Sequence, residues 1–424
     1  MTLALVRLKR LADGGFARNV ATLAGGAALA QFLPLIAAPL LTRLYTPADF
    51  GLLSVYVAWL SALAVIATGR YELAIVLPSC DKRSANLFGL SLAIAASLAV
   101  LLGVVLWPAS GFWADLMREP ALAPWLWLLP LTVGLAGLAQ AYTQWNNRRQ
   151  RYRANAAGRL AQAVAMTALQ LGLGFAGLGA GGLLIGQTAG VAASLIAQAL
   201  PDWLAGAAWR RDVDLEGMKA VAREYSEFPR VNAANALVGA AQDTLTVTLL
   251  LTMSGSATVG FYGLMMRMLK LPAALVGQAV AQVAYRDLAA AHAAGEPLAP
   301  QIRKLFVLLT LLALPGAIVM AAFGPALFAL VFGEGWREAG EYARALSPYM
   351  LCHFVASPLG MVPLVIRRQK AALAFTVVGN GLFLAVLWSG LASGWPLAST
   401  LWALSAAMAV YFFSYFAWIY KAVR

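Results

Sequence analysis

Apolar segments of about 20 residues follow one another almost without interruption along this chain, and the loops between them alternate between basic and nearly uncharged. A helix rising about 1.5 Å per residue needs about 20 apolar residues to cross the hydrocarbon layer of a bilayer. Segments of that length lie near 18–41, 50–77, 85–107, 121–143, 155–176, 181–203, 229–253, 258–286, 302–323, 342–366, 371–392 and 397–420. With 61% hydrophobic and only 12% charged residues, the chain departs from soluble globules, which carry about 25% charged residues. The spacing therefore predicts an all-α polytopic membrane protein of about 12 transmembrane helices.

The charges orient it. Of the 31 Lys and Arg, roughly 23 fall on the side holding both termini, about 3 on the other and about 5 inside spans, which places both termini in the cytoplasm. The net charge of +13 gathers in short clusters (Arg7, Lys9, Arg10 and Arg18; Arg148, Arg149, Arg151 and Arg153; Arg210, Arg211, Lys219, Arg223 and Arg230; Arg367, Arg368 and Lys370) rather than on one stripe. That pattern speaks for topology and attraction to anionic membrane lipids, and against a nucleic-acid partner. Residues 1–17 set Leu5, Leu8 and Leu11 against Arg7 and Arg10 and read as an interfacial amphipathic segment rather than a signal peptide. Cys80 in a basic loop and Cys352 inside a span give no basis for a disulfide.

The two halves resemble each other. Phe16-Ala17-Arg18-Asn19-Val20 and Phe228-Pro229-Arg230-Val231-Asn232 lead into the first and seventh spans. Phe50-Gly51 pairs with Gly260-Phe261, Arg70-Tyr71-Glu72-Leu73-Ala74 with Tyr285-Arg286-Asp287-Leu288-Ala289, and Arg148-Arg149-Gln150 with Arg367-Arg368-Gln369. The common offset of about 209–219 residues points to an internal duplication. The domain reading is an N-lobe over 18–210 (spans 1–6), a cytoplasmic linker over 211–228 and a C-lobe over 229–424 (spans 7–12). An even number of spans per half makes the repeats parallel, related by an axis along the membrane normal. Prolines interrupt several spans (Pro34, Pro39, Pro130, Pro272, Pro315, Pro358, Pro363), as curvature or as hinges.

A charge at the bilayer centre costs about 2.5–3.5 kcal/mol on insertion scales, so each intramembrane charge needs a partner or a watery recess. Arg70 and Glu72 lie toward the inner end of the second span. Two residues apart on a helix, they would point apart and each require another partner. Asp243 lies near the middle of the seventh span. Arg267 and Lys270 share a face of the eighth. Asp243 and Arg267 sit at similar depth, so an ion pair across that hairpin is one reading, and even then Lys270 leaves a cation for an anionic ligand. Arg159 either faces a cavity or snorkels to the inner interface. Glu72, Asp243 and His353 are the titratable candidates for ion coupling, with a hydrogen-bonded buried imidazole as the alternative for His353. Amides are frequent within spans. Gln31, Asn235, Gln242 and Gln278 are candidates for sugar contacts, while most such groups bond between helices. Tryptophans near span ends, among them Trp107, Trp127, Trp395 and Trp402, fit an interfacial belt. No phosphate-binding loop, metal spacing or hydrolase motif occurs, so no cofactor, metal or catalytic residue is expected and the chain does not read as an enzyme.

Several stretches carry a family resemblance: Arg18-Asn19 through Gly25-Gly26, Leu41-Thr42-Arg43-Leu44-Tyr45-Thr46-Pro47-Ala48-Asp49-Phe50-Gly51, Gly69-Arg70-Tyr71-Glu72, and Asn146-Asn147-Arg148-Arg149-Gln150-Arg151-Tyr152. Together they resemble the Wzx-type oligosaccharide (O-antigen) flippases of the multidrug/oligosaccharidyl-lipid/polysaccharide exporter superfamily. The resemblance implies two six-helix lobes in a V around a cationic cavity. It implies alternating-access transfer of undecaprenyl-pyrophosphate-linked repeat units across the bacterial inner membrane, in lipopolysaccharide or related polysaccharide biosynthesis. It also implies a polysaccharide polymerase and a chain-length regulator as partners. The family's pyrophosphate-binding cations map here onto Arg70, Arg267 and Lys270. The rivals are a cation-coupled drug exporter of the same fold, whose cavity would favour carboxylates, and a membrane polymerase or glycosyltransferase. Only the outer segment Phe332–Glu341 has enough charge to support the latter. Lipid II flippases of the superfamily carry two further spans that are not found here.

Overall fold

The computed structural model describes residues 30–272, 277, 280, 284, 287–289, 291–292, 294, 296–366 and 368–423. The interfacial segment expected over 1–17 and the start of the first span lie outside them. The described residues are helical throughout, with no β-strand. In chain order the principal helices are α1 (Ala30–Leu44), α2 (Pro47–Ile66), α3 (Asp81–Leu106), α4 (Leu128–Arg148), α5 (Tyr152–Phe175), α6 (Ala180–Leu204), α7 (Leu215–Glu224), α8 (Ala233–Ser254), α9 (Ser256–Pro272), α10 (Ala299–Phe332), α11 (Arg337–Leu359), α12 (Gln369–Ala392) and α13 (Leu397–Ala422). All but α7 fall on the expected spans.

Six of these helices are long and apolar enough on their own to cross a membrane. Others, such as α4 and α5, are more polar because their amides and hydroxyls are spent on one another. Asn146 donates to Asn155 Oδ1 (3.2 Å) and to the Gln198 carbonyl (3.1 Å). Asn155 donates to the Thr143 carbonyl (3.1 Å), and Thr143 to Gln198 Oε1 (2.7 Å). Tyr56, Thr132 and Thr188 share a buried hydroxyl cluster. These bonds tie α2, α4, α5 and α6 together, as polar side chains do where no water competes.

Two spans differ from the sequence expectation. The second, expected over 50–77, ends at Ile66. Gly69 (φ 60°) and Arg70 (φ 64°) both turn left-handed and deliver the chain into a 3₁₀ turn over Tyr71–Ala74. The tenth, expected to run to 366, stops at Leu359 and resumes as a single turn over Val362–Val365. Pro363, which cannot donate a backbone bond, lies in that turn. By contrast, α1 runs unbroken past Pro34 and Pro39. The helix α10 is longer than expected: its 34 residues reach about 50 Å at 1.5 Å per residue, so its ends project beyond the hydrocarbon.

The chain divides into two compact units, residues 1–244 and 245–424. In the first, Phe88 of α3 is the centre of an aromatic core, stacked on Trp145 (4.9 Å) and edge-on to Tyr142 (5.0 Å) and Trp209 (4.8 Å). Within 211–228, α7 is docked on α3. Asn86 donates to the Asp212 carbonyl (3.0 Å) and accepts from the Asp214 amide (3.1 Å). In the second unit, Leu309, Phe354, Leu359, Tyr415 and Ile419 form the core joining α10, α11 and α13.

Candidate functional site

The helix break after α2 rearranges the first pair of candidate charges. Left-handed φ at Arg70 swings its side chain back along the 3₁₀ turn, so that Nη1 lies 3.5 Å from Glu72 Oε1. Glu72 is only 3% exposed and also accepts a hydrogen bond from the Thr68 hydroxyl. The expectation that Arg70 and Glu72 need separate partners rested on helical geometry that is absent here, and they neutralise each other. Among the described residues Arg70 Nε still has no hydrogen-bond acceptor. Tyr71 between them donates to the Ala222 carbonyl (3.0 Å), linking this turn to the end of α7.

Arg267 and Lys270 project from α9, three residues apart and both exposed. They are therefore neighbours on one helix face within a span. Asp243, also exposed, lies on α8 in the first unit, whereas Arg267 belongs to the second. Arg159 is exposed near the start of α5. His353 is half-buried in α11 between Tyr349 (5.7 Å) and Phe412 (6.3 Å). Gln31 is exposed on α1 and Gln242 half-exposed on α8. The side chain of Asn235 and the whole of Gln278 lie outside the described residues. The structure thus brings Arg70 to Glu72 and carries Arg267 and Lys270 three residues apart on α9.

Sequence reasoning missed how the basic loops are anchored. Arg148 bonds Asp81 (2.8 Å) and the Pro78 carbonyl (2.6 Å). Arg151 bonds Asp202 (2.5 Å), which also accepts from Trp145 Nε1 (2.6 Å). Lys82 pairs with Asp214 (3.1 Å) and Arg83 with Glu224. The Gly217 backbone N–H and then the Lys82 ammonium hold the Asp214 carboxyl below the usual carboxylate range. On the outer side the Arg337 guanidinium does the same for Glu334, and Glu338 accepts from the Tyr342 hydroxyl. Glu341 pairs with Arg344 (3.2 Å), so the acids of that outer segment are paired or hydrogen-bonded. Among the described residues no cluster of side chains could hold a metal.

The fold is that of known transporters. The chain is similar to the inward-closed structure of the lipid II flippase MurJ, with TM-score 0.65 and 11% identity over 92% of this chain and 87% of that one. It is also similar to an inward-facing MATE-family multidrug resistance transporter of the MOP superfamily, with TM-score 0.58 and 14% identity over 95% and 94%. The Vibrio cholerae MATE transporter VcmN gives TM-score 0.52 and 14% identity over 96% of each chain. No curated protein matches the sequence. The sequence pattern described as polysaccharide biosynthesis protein matches residues 40–341, in line with the resemblance to Wzx-type flippases. The chain is a multi-pass membrane protein and belongs to the polysaccharide biosynthesis protein family.

Proposed function

We propose that this protein is a flippase that moves polyprenyl-pyrophosphate-linked oligosaccharide from the cytoplasmic to the periplasmic leaflet of the bacterial inner membrane. The observation that carries the reading is the pair Arg267 and Lys270, two exposed cations on one face of a membrane-spanning helix. A charge inside a span is expensive unless it has a partner, a ligand or a watery path. Two adjacent cations suit a pyrophosphate, which needs charge-assisted hydrogen bonds when it leaves water. Membership of a polysaccharide biosynthesis family supports a saccharide cargo, and the transporter fold supports movement rather than synthesis.

On this reading Arg70, whose charge meets that of Glu72, holds the turn after α2. We assign a coupling ion to Asp243, the carboxylate at the middle of α8. Binding of a short polyprenyl-pyrophosphate-linked sugar to the purified protein in nanodiscs tests the assignment, with the polyprenyl-linked sugar lacking phosphates as reference. The pyrophosphate form is expected to bind at least about tenfold more tightly, the effect of one or two charge-assisted bonds. R267A/K270A removes that preference. Equal binding of the two ligands would contradict the reading.

A further inference from the structure

The long helix α10 lies at the periphery of the second unit: only 6% of its most apolar stretch is buried. At its cytoplasmic end stand Arg303 and Lys304, both exposed. Neither makes an ion pair or a side-chain hydrogen bond among the described residues. They sit about 6–8 Å from the start of the helix at 1.5 Å per residue, the depth of a head-group layer rather than of the hydrocarbon.

Two apolar grooves meet beneath them. One, of about 630 Å³, runs down α10 past Val307, Leu308 and Leu311. The other, of about 340 Å³, runs between α10 and α13 past Phe306, Phe413, Phe416 and Ala417. Arg303 and Tyr420 line both grooves. Phe306 and Phe416 meet edge-on at 5.1 Å, fixing the second groove's wall. A cation and a phenol at the head of two diverging apolar channels match one anionic head group carrying two chains. On the far side of Lys304 a third groove is bordered by Asp287 and Glu296. Those carboxylates repel a phosphate and so direct it toward Arg303.

We propose that this end of α10 and α13 is a binding site for an anionic diacyl phospholipid of the cytoplasmic leaflet. Its phosphate lies against Arg303 and Lys304, and its two chains follow the α10 groove and the α10–α13 groove. Basic recesses at the cytoplasmic ends of transmembrane helices are suited to such head groups. A single-chain polyprenyl carrier would fill one channel and leave the other empty. The inference needs only the membrane-spanning fold of the second unit and is independent of the flippase reading.

Native mass spectrometry of the full-length protein, delipidated and titrated with phosphatidylglycerol, tests it. Phosphatidylcholine of the same chains and a polyprenyl monophosphate are run in parallel. Phosphatidylglycerol is expected to be retained about fivefold or more over phosphatidylcholine per cation engaged. R303Q/K304Q abolishes that preference, while R303K/K304R keeps it and shows that the fold is intact. A417W, which blocks one channel, weakens retention of both phospholipids. Equal retention of the two phospholipids, or an unchanged preference in R303Q/K304Q, would overturn the proposal. Displacement of phosphatidylglycerol by a lower concentration of polyprenyl monophosphate would also overturn it, by assigning the site to the carrier lipid.

Discussion

Arg70 Nη1 stands 3.5 Å from Glu72 Oε1, although residues two apart on an α-helix diverge. The contact exists because Gly69 and Arg70 adopt left-handed backbone and end α2 early. Glycine takes that conformation freely, whereas a side chain there costs about 1–3 kcal/mol and persists only where its surroundings fix it. The ion pair and the Tyr71–Ala222 bond are those fixings.

Removing one partner of this pair leaves a buried charge. R70A is expected to destabilise the protein by about 2–3 kcal/mol, toward the lower end for buried pairs because Arg70 is 24% exposed. R70A/E72Q should lose less than the sum of the single changes. Chemical unfolding in detergent measures both, and strict additivity would show that the two side chains do not interact.

The docking of α7 on α3 has a defined acid limit. Asp214 caps α7 by accepting from the Gly217 amide (2.5 Å), and that bond, with Lys82, depresses its pKa. A carboxyl depressed in the folded state contributes stability above its unfolded value of about 3.9 and loses it as pH falls through the lower folded value. Hydrogen exchange over 215–224 should therefore stay slow from pH 7 to about pH 4 and accelerate only below that. D214A should show fast exchange across the whole range. A transition near pH 6 in the native chain would contradict this origin.

The α10–α11 contact depends on two glycines. A Cβ on Gly340 would lie 2.5 Å from the Gly324 carbonyl oxygen and from Pro325 Cα, both backbone atoms that cannot turn aside. G340A is expected to cost about 1–3 kcal/mol, the usual range for overpacking. By comparison G335A, with open space around it, should be nearly neutral. A thermal melt of each in the same detergent distinguishes them.

The spans were legible because bilayer thickness imposes a length on apolar sequence, and α3, α6 and α13 fall where hydropathy puts them. The break at Arg70 was not, since the apolar run resumes over 73–77 and the contacts that fix the turn, Arg70–Glu72 and Tyr71–Ala222, form only once the chain has left the helix. The i,i+3 spacing of Arg267 and Lys270 was readable on any helix. The loop cations read as an orientation signal and a lipid attraction, and their ion pairs are not legible, because Arg148 finds Asp81 and Arg151 finds Asp202 across 67 and 51 residues of sequence. Polar residues inside spans were legible as a class but not by role: Asn146, Asn155 and Gln198 are bonded between helices, while Gln31 is exposed.

Transfer of a lipid-linked oligosaccharide between leaflets, in liposomes reconstituted with the purified protein, tests the central claim most directly. A membrane-impermeant glycosidase reads how much of the sugar has crossed. The native chain should expose the sugar to the far side, R267A/K270A should reduce the rate at least about tenfold, and R159A should leave it within about twofold. Transfer by R267A/K270A at the native rate would contradict the assignment of these two cations, and absence of transfer by the native chain would contradict the flippase reading itself.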